Sequence, residues 1–175
     1  MRTKKITFFA ISISLMIIGS YLSLPLPFTN VPFTLQVFFL FLISMLFKPW
    51  ESFLIILGYL LLGAIGFPVF AGGRGGISVL FGATGGYLWG FLISSPVISI
   101  FTNKGKEIYK LFWIILGLLI IYLLGSIWLM FFLKISYKKA LILGVLPFLP
   151  LDILKGILAL LVSKYLDRFR KESLL

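Results

Sequence analysis

Leu146-Pro-Phe-Leu-Pro-Leu-Asp-Ile-Leu-Lys-Gly-Ile-Leu-Ala-Leu-Leu-Val-Ser163 places an acid and a base, Asp152 and Lys155, at the start of an otherwise apolar run. Taken with the residues from Ala140, the run is long enough to span a bilayer, and residues three apart share a helical face. An ionisable side chain at membrane depth costs about 2.5 to 3.5 kcal/mol on insertion scales, and such groups face a polar cavity or a pathway. Two readings of the pair follow. In one, Asp152 caps a helix after Pro150 and Lys155 is its ion-pair partner; in the other, both belong to a binding site. Capping requires the acid and leaves the lysine unexplained. On the site reading, Asp152→Asn and Lys155→Met each weaken ligand binding while the fold survives.

The rest of the chain has the same character. Of its 175 residues 61% are hydrophobic and 12% charged, with a mean hydropathy of +1.15, against about 45 to 50% apolar and about 25% charged in soluble domains. Such a chain lacks the polar surface to cover its apolar content in water. It contains no Cys and no His, which removes thiol nucleophiles, cysteine zinc sites, and the commonest general base and metal ligand. No catalytic role, metal or cofactor is expected. The net charge of +11 lies in short clusters between apolar runs, the pattern of basic loops at an anionic leaflet rather than of a nucleic-acid surface.

Apolar runs separated by Pro, Gly or charge give six candidate spans in one domain over residues 1–175: Ile6 to Leu24, Val31 to Phe47, Ser52 to Gly66, Ile77 to Phe101, Leu111 to Leu133 and Ala140 to Ser163. The first follows Arg2, Lys4 and Lys5 as a signal peptide would, but it lacks an A-x-A cleavage pattern and reads as a retained helix. The second and third are short for a full crossing, so the loops beside them are expected to line a cavity. Six spans put both termini on one side. That side would carry eleven basic residues, and the other only Arg74, Lys134, Lys138 and Lys139. Both termini are therefore expected to be cytoplasmic.

The outer connections are chemically distinctive. Leu24-Pro-Leu-Pro-Phe-Thr-Asn-Val-Pro-Phe-Thr34 is stiff, aromatic and uncharged, as a lid would be. Gly66-Phe-Pro-Val-Phe-Ala-Gly-Gly-Arg-Gly-Gly76 and Gly82-Ala-Thr-Gly-Gly-Tyr87 permit close approach of backbone to a neighbour or ligand. Gly105-Lys106 lacks the spacing of a phosphate-binding loop, so ATP is not bound by that route. Ala10 and Ser14 on the first helix make a small-xxx-small pattern, extended by Ser12 and Gly19. This fits close contact either with another helix of the chain or with a partner.

Val31-Pro-Phe-Thr-Leu-Gln36, Gly66-Phe-Pro-Val-Phe-Ala-Gly-Gly73, Thr84-Gly-Gly-Tyr-Leu88 and Leu143-Gly-Val-Leu-Pro-Phe-Leu-Pro150, with Asp152 and Lys155, together resemble the BioY family over nearly the whole chain. These are biotin-specific S components of energy-coupling factor (ECF) transporters. The resemblance implies an all-α integral membrane protein of six transmembrane helices with a substrate pocket near the outer face. It also implies residence in the cell membrane, biotin as ligand, and a transmembrane coupling protein with two ATP-binding subunits as partners. Ala83 stands where the family has Pro, and Leu151 where it has Gly, so a less kinked fourth helix is expected. The family's Ala-x-x-x-Ala docking motif corresponds to Ala10 and Ser14.

The implied site uses Asp152 to accept from the ureido N–H groups. Lys155 donates to the ureido carbonyl or neutralises Asp152. Arg74 takes the carboxylate. Tyr87, Thr34 and Gln36 supply further hydrogen bonds, and Phe33, Phe70 and Gly73 complete the contact surface. Two alternatives remain: an S component for another vitamin, and a membrane scaffold that binds no small molecule, in which the Asp152–Lys155 pair is structural.

Overall fold

The computed structural model describes residues 2–102 and 107–172. The helices are α1 (Arg2–Tyr21), α2 (Gln36–Leu46), α3 (Pro49–Ala64), α4 (Ile77–Leu80), α5 (Gly85–Thr102), α6 (Glu107–Leu133), α7 (Tyr137–Gly144) and α8 (Leu149–Glu172). A two-stranded antiparallel hairpin, β1 (Ser23–Leu24) and β2 (Phe33–Thr34), follows α1 and pairs Ser23 with Thr34. Lys104 and Lys106, which enter the charge asymmetry, lie outside the described residues.

Helices α1, α5 and α6 are long and apolar enough to cross a bilayer, and α7 with α8 makes up to a fourth span bent by 50°. Large apolar side chains stand exposed along them, including Phe8, Ile11 and Ile18 of α1, Leu119 and Phe131 of α6, and Leu158 and Leu161 of α8. Apolar surface on this scale requires a lipid environment. Because lipid is as apolar as the side chains, close packing rather than water exclusion holds such helices together. Gly86 and Gly90 provide it: a Cβ on either would collide with α6, at Trp128 and Leu124 or at Ile121.

Two expected spans are interrupted. The fourth is split into α4 and α5 by a turn at 81–84, and the indoles of Trp89 and Trp128 donate to the carbonyls of Leu80 (3.2 Å) and Gly82 (2.9 Å). Non-helical backbone at depth is tolerable only with such partners. The break occurs even though Ala83 lacks the kinking proline. The sixth is split at 145–148, where Pro147 lies in the turn and Pro150 falls in the first turn of α8, a position that needs no N–H. The second is shortened, because Phe33 and Thr34 belong to β2.

The core is formed by α2, α3, α5 and α6, with Leu40, Phe41, Ile55, Ile56, Ile98 and Leu118 buried. Helix α2 packs against α8 and α5, and α1 lies across α2 and α3. Lys5 pairs with Glu51 at 2.8 Å at one end of this assembly. At the other end, Ser20 and Tyr21 donate to the carbonyls of Val69 (2.6 Å) and Pro68 (2.7 Å), which pins the 66–76 loop over the helices.

Candidate ligand-binding cavity

A cavity lies between the 66–76 loop and helices α2, α5, α6, α7 and α8. Its deep wall holds Asp152, which is 4% exposed. Helix α8 starts at Leu149 and the Asp152 N–H already donates to the Phe148 carbonyl at 2.8 Å, so Asp152 stands inside the first turn and is not the N-cap. Its Oδ1 accepts from Lys155 Nζ at 2.7 Å and its Oδ2 from the Tyr122 hydroxyl at 2.7 Å. Lys155, 5% exposed, also donates to the Thr34 carbonyl at 2.6 Å and lies 3.8 Å from the centre of the Phe33 ring. The ammonium thus stands behind the carboxylate, away from the cavity. Two donors on one buried carboxylate fix its direction.

The middle of the cavity is apolar, walled by Val37, Phe70, Leu88, Phe91, Ile121 and Phe148. A buried polar chain braces it. Gln36 Nε2 donates to the Tyr59 hydroxyl at 2.6 Å, which in turn donates to the Val69 carbonyl at 3.0 Å, the same carbonyl that Ser20 reaches. Tyr59 also packs edge-on against Phe70, with centroids 5.5 Å apart. Tyr87 donates to the Gly144 carbonyl at 2.9 Å and so ties α5 to α7.

At the mouth, Arg74 is exposed. Its Nε donates to the Ala71 carbonyl at 3.1 Å, and among the described residues it makes no ion pair. Its terminal N–H groups are the cationic donors nearest the opening, suited to a planar anion.

A family model described as the BioY family matches residues 1–172. The chain belongs to the BioY family. Among its relatives, the biotin transporter BioY of Thermotoga maritima is 40% identical, over 91% of this chain and 93% of that protein. Biotin transporter BioY2 of Lactococcus lactis is 40% identical, over 95% and 92%. The fold superimposes on the crystal structure of the S component for biotin from an ECF-type ABC transporter with a TM-score of 0.89, at 29% identity over 95% of this chain and 92% of that one. The S component of a bacterial ECF transporter at 17% identity and a TM-score of 0.60 shares the fold.

In this BioY family member the cavity wall gathers Asp152, Thr34, Gln36, Phe70, Tyr87 and Arg74 from four separate stretches of sequence. Lys155, Phe33 and Gly73 are not in that wall. Lys155 and Phe33 form the layer behind Asp152, and Gly73, at φ +69°, shapes the turn that presents Arg74. Tyr122 is the residue that sequence reasoning passed over. A hydroxyl in the middle of the apolar run of α6 must find a buried partner, and that requirement was its signal. On α1, Ala10 and Ser14 are exposed, with the Ser14 hydroxyl folded back onto the Ala10 carbonyl at 3.0 Å. Ser12 and Gly19, by contrast, are buried, and Gly19 abuts Phe39.

Proposed function

We propose that this chain captures biotin as the S component of an ECF-type vitamin transporter, serving as a transporter component rather than an enzyme. The observation that carries the proposal is the buried, doubly hydrogen-bonded Asp152 at the blind end of an apolar cavity whose mouth holds Arg74. Biotin has the complementary order of groups: ureido donors, an apolar thioether ring, an apolar chain and a carboxylate. Asp152 accepts from the ureido N–H groups, with Lys155 neutralising it from behind. The aromatic wall takes the ring and Arg74 the carboxylate. Thr34, Gln36 and Tyr87, which line the cavity, supply further hydrogen bonds.

The test is equilibrium binding of biotin, thiamine, riboflavin and folate to the purified protein in detergent. Saturable binding of biotin alone is expected; preference for another vitamin, or no binding, sinks the assignment.

In this reading the chain is one domain of six crossings with both termini cytoplasmic, and the hairpin loop between Leu24 and Thr34 closes over an outward-facing site. Ser136, exposed at the start of α7, should react with an impermeant reagent in intact cells once changed to Cys. Labelling of a Cys at position 173 instead, outside the described residues, would reverse the orientation. A coupling membrane protein with two ATP-binding subunits supplies the energy, and the exposed Ala10–Ser14 face is where it docks. Replacing both residues by Leu should abolish copurification and leave biotin binding intact; normal copurification places docking elsewhere.

A further inference from the structure

Beyond Arg74 a second cavity opens, about 620 Å³ with its open mouth included, beneath the proline-rich hairpin loop. It shares Pro32, Ala71 and Arg74 with the first cavity and adds Ser23, Thr29 and Asn30. The two chambers therefore share a wall at Pro32, Ala71 and Arg74. The outer chamber differs in chemistry from the inner one. Arg74 is its one charged residue, and its walls carry three neutral hydrogen-bonding side chains. Of these, the Thr29 hydroxyl already accepts from the Val31 N–H at 3.2 Å.

A ligand ending at its carboxylate would fill the inner chamber and stop at Arg74. A longer one would run on past Arg74 toward the outer chamber. We propose that the outer chamber is a subsite for the amine portion of biotin amides, above all biotin joined through its carboxyl to a lysine side chain. The protein then takes up conjugated as well as free biotin. This rests on the reading of the inner chamber as a biotin site. Forming the amide removes the anion that pairs with Arg74. The lysine portion restores a carboxylate and adds an ammonium, and Asn30, Thr29 and Ser23 offer both acceptors and donors to receive them.

The experiment compares dissociation constants of the purified full chain for three ligands: biotin, biotin methylamide and biotinyl-lysine. The methylamide lacks the charge and places nothing in the outer chamber. It should bind on the order of tenfold or more weakly than biotin, the loss expected for one hydrogen bond to a charged group. Biotinyl-lysine should return to within about threefold of biotin, where 1.4 kcal/mol would be a full factor of ten. Asn30→Leu, at an exposed loop position, should weaken biotinyl-lysine several-fold more than it weakens free biotin. The subsite is overturned if biotinyl-lysine binds no better than the methylamide while biotin binds well, or if Asn30→Leu leaves it unaffected. Failure of biotin itself to bind overturns the inner site and the subsite with it.

Discussion

The two ends of the cavity are built on opposite principles. At the blind end every polar atom of Asp152 and Lys155 has a partner, all within 2.7 Å, supplied by α6, α8 and β2. At the mouth Arg74 stands exposed on a glycine-rich loop, with its Nε bonded to a neighbouring carbonyl. The blind end is preorganised: binding there costs little ordering, and geometry decides what fits. The mouth is adaptable and acts after the head of the ligand is seated. Substitutions at the first end should therefore change stability and affinity together, while those at the second should change affinity alone.

The largest effect is expected at Lys155. Lys155→Met leaves a carboxylate that is 4% exposed with Tyr122 as its remaining donor. Breaking a buried pair by removing one partner costs about 3 to 5 kcal/mol. Sequence alone led to the expectation that this variant keeps its stability; the burial of both partners reverses that. The double variant Asp152→Asn with Lys155→Met should recover much of the melting temperature and still fail to bind biotin. If Lys155→Met melts like the parent, the two ends do not differ as described.

Next comes Tyr122→Phe, which deprives Asp152 Oδ2 of its donor. A hydrogen bond to a charged group is worth about 1.5 to 3 kcal/mol, so the free protein should lose stability, though less than Lys155→Met does. A ureido N–H can take over the vacated oxygen. The rise in melting temperature caused by biotin should then be at least as large as in the parent. A smaller rise would make Tyr122 a direct partner of the ligand rather than a brace for Asp152.

At the mouth, Arg74→Gln should leave the melting temperature of the free protein unchanged, since no ion pair of the described residues is lost. Biotin affinity should fall by roughly tenfold, the worth of one charge-assisted contact. A matching loss of stability would mean that Arg74 holds the loop together, which would erase the contrast between the two ends.

How much of this was readable without coordinates depends on the kind of signal. Asp152 and Lys155 announce themselves because charges in an apolar run have few places to go. Their spacing gives a common face but not which of the two meets the cavity; that is set by β2, whose Thr34 carbonyl draws the ammonium away. Tyr122 was hidden because tyrosine does not interrupt hydropathy. The break in the fourth span was not legible because hydropathy is blind to whether tryptophan indoles can satisfy a turn. The close approach of α5 to α6 was legible in the glycines just before Tyr87, and Ala10 and Ser14 were legible as a thin face whose outward direction only packing decides.

The smallest expected effect belongs to Gly73, and it tests whether the mouth is adaptable or merely unbonded. Gly73 has φ +69°, in the left-handed region, and its neighbour Gly72 has φ +73°. A Cβ at Gly73 would meet nothing closer than the Tyr21 ring at 3.8 Å, so Gly73→Ala introduces no collision. Its cost is conformational, about 1 to 2 kcal/mol for an L-residue held in that region. The turn also carries the bonds from the Gly73 and Arg74 N–H groups to the Phe70 carbonyl, at 3.0 and 3.2 Å. An adaptable loop relieves the strain by shifting, which moves Arg74 slightly while Phe70 stays fixed by Tyr59. Biotin affinity should then fall by less than about tenfold, the equivalent of 1.4 kcal/mol, and biotin methylamide, which makes no anionic contact, should bind as it does to the parent. Equal losses for both ligands would mean that the turn and the aromatic wall move as one body, so that the mouth shares the rigidity of the blind end.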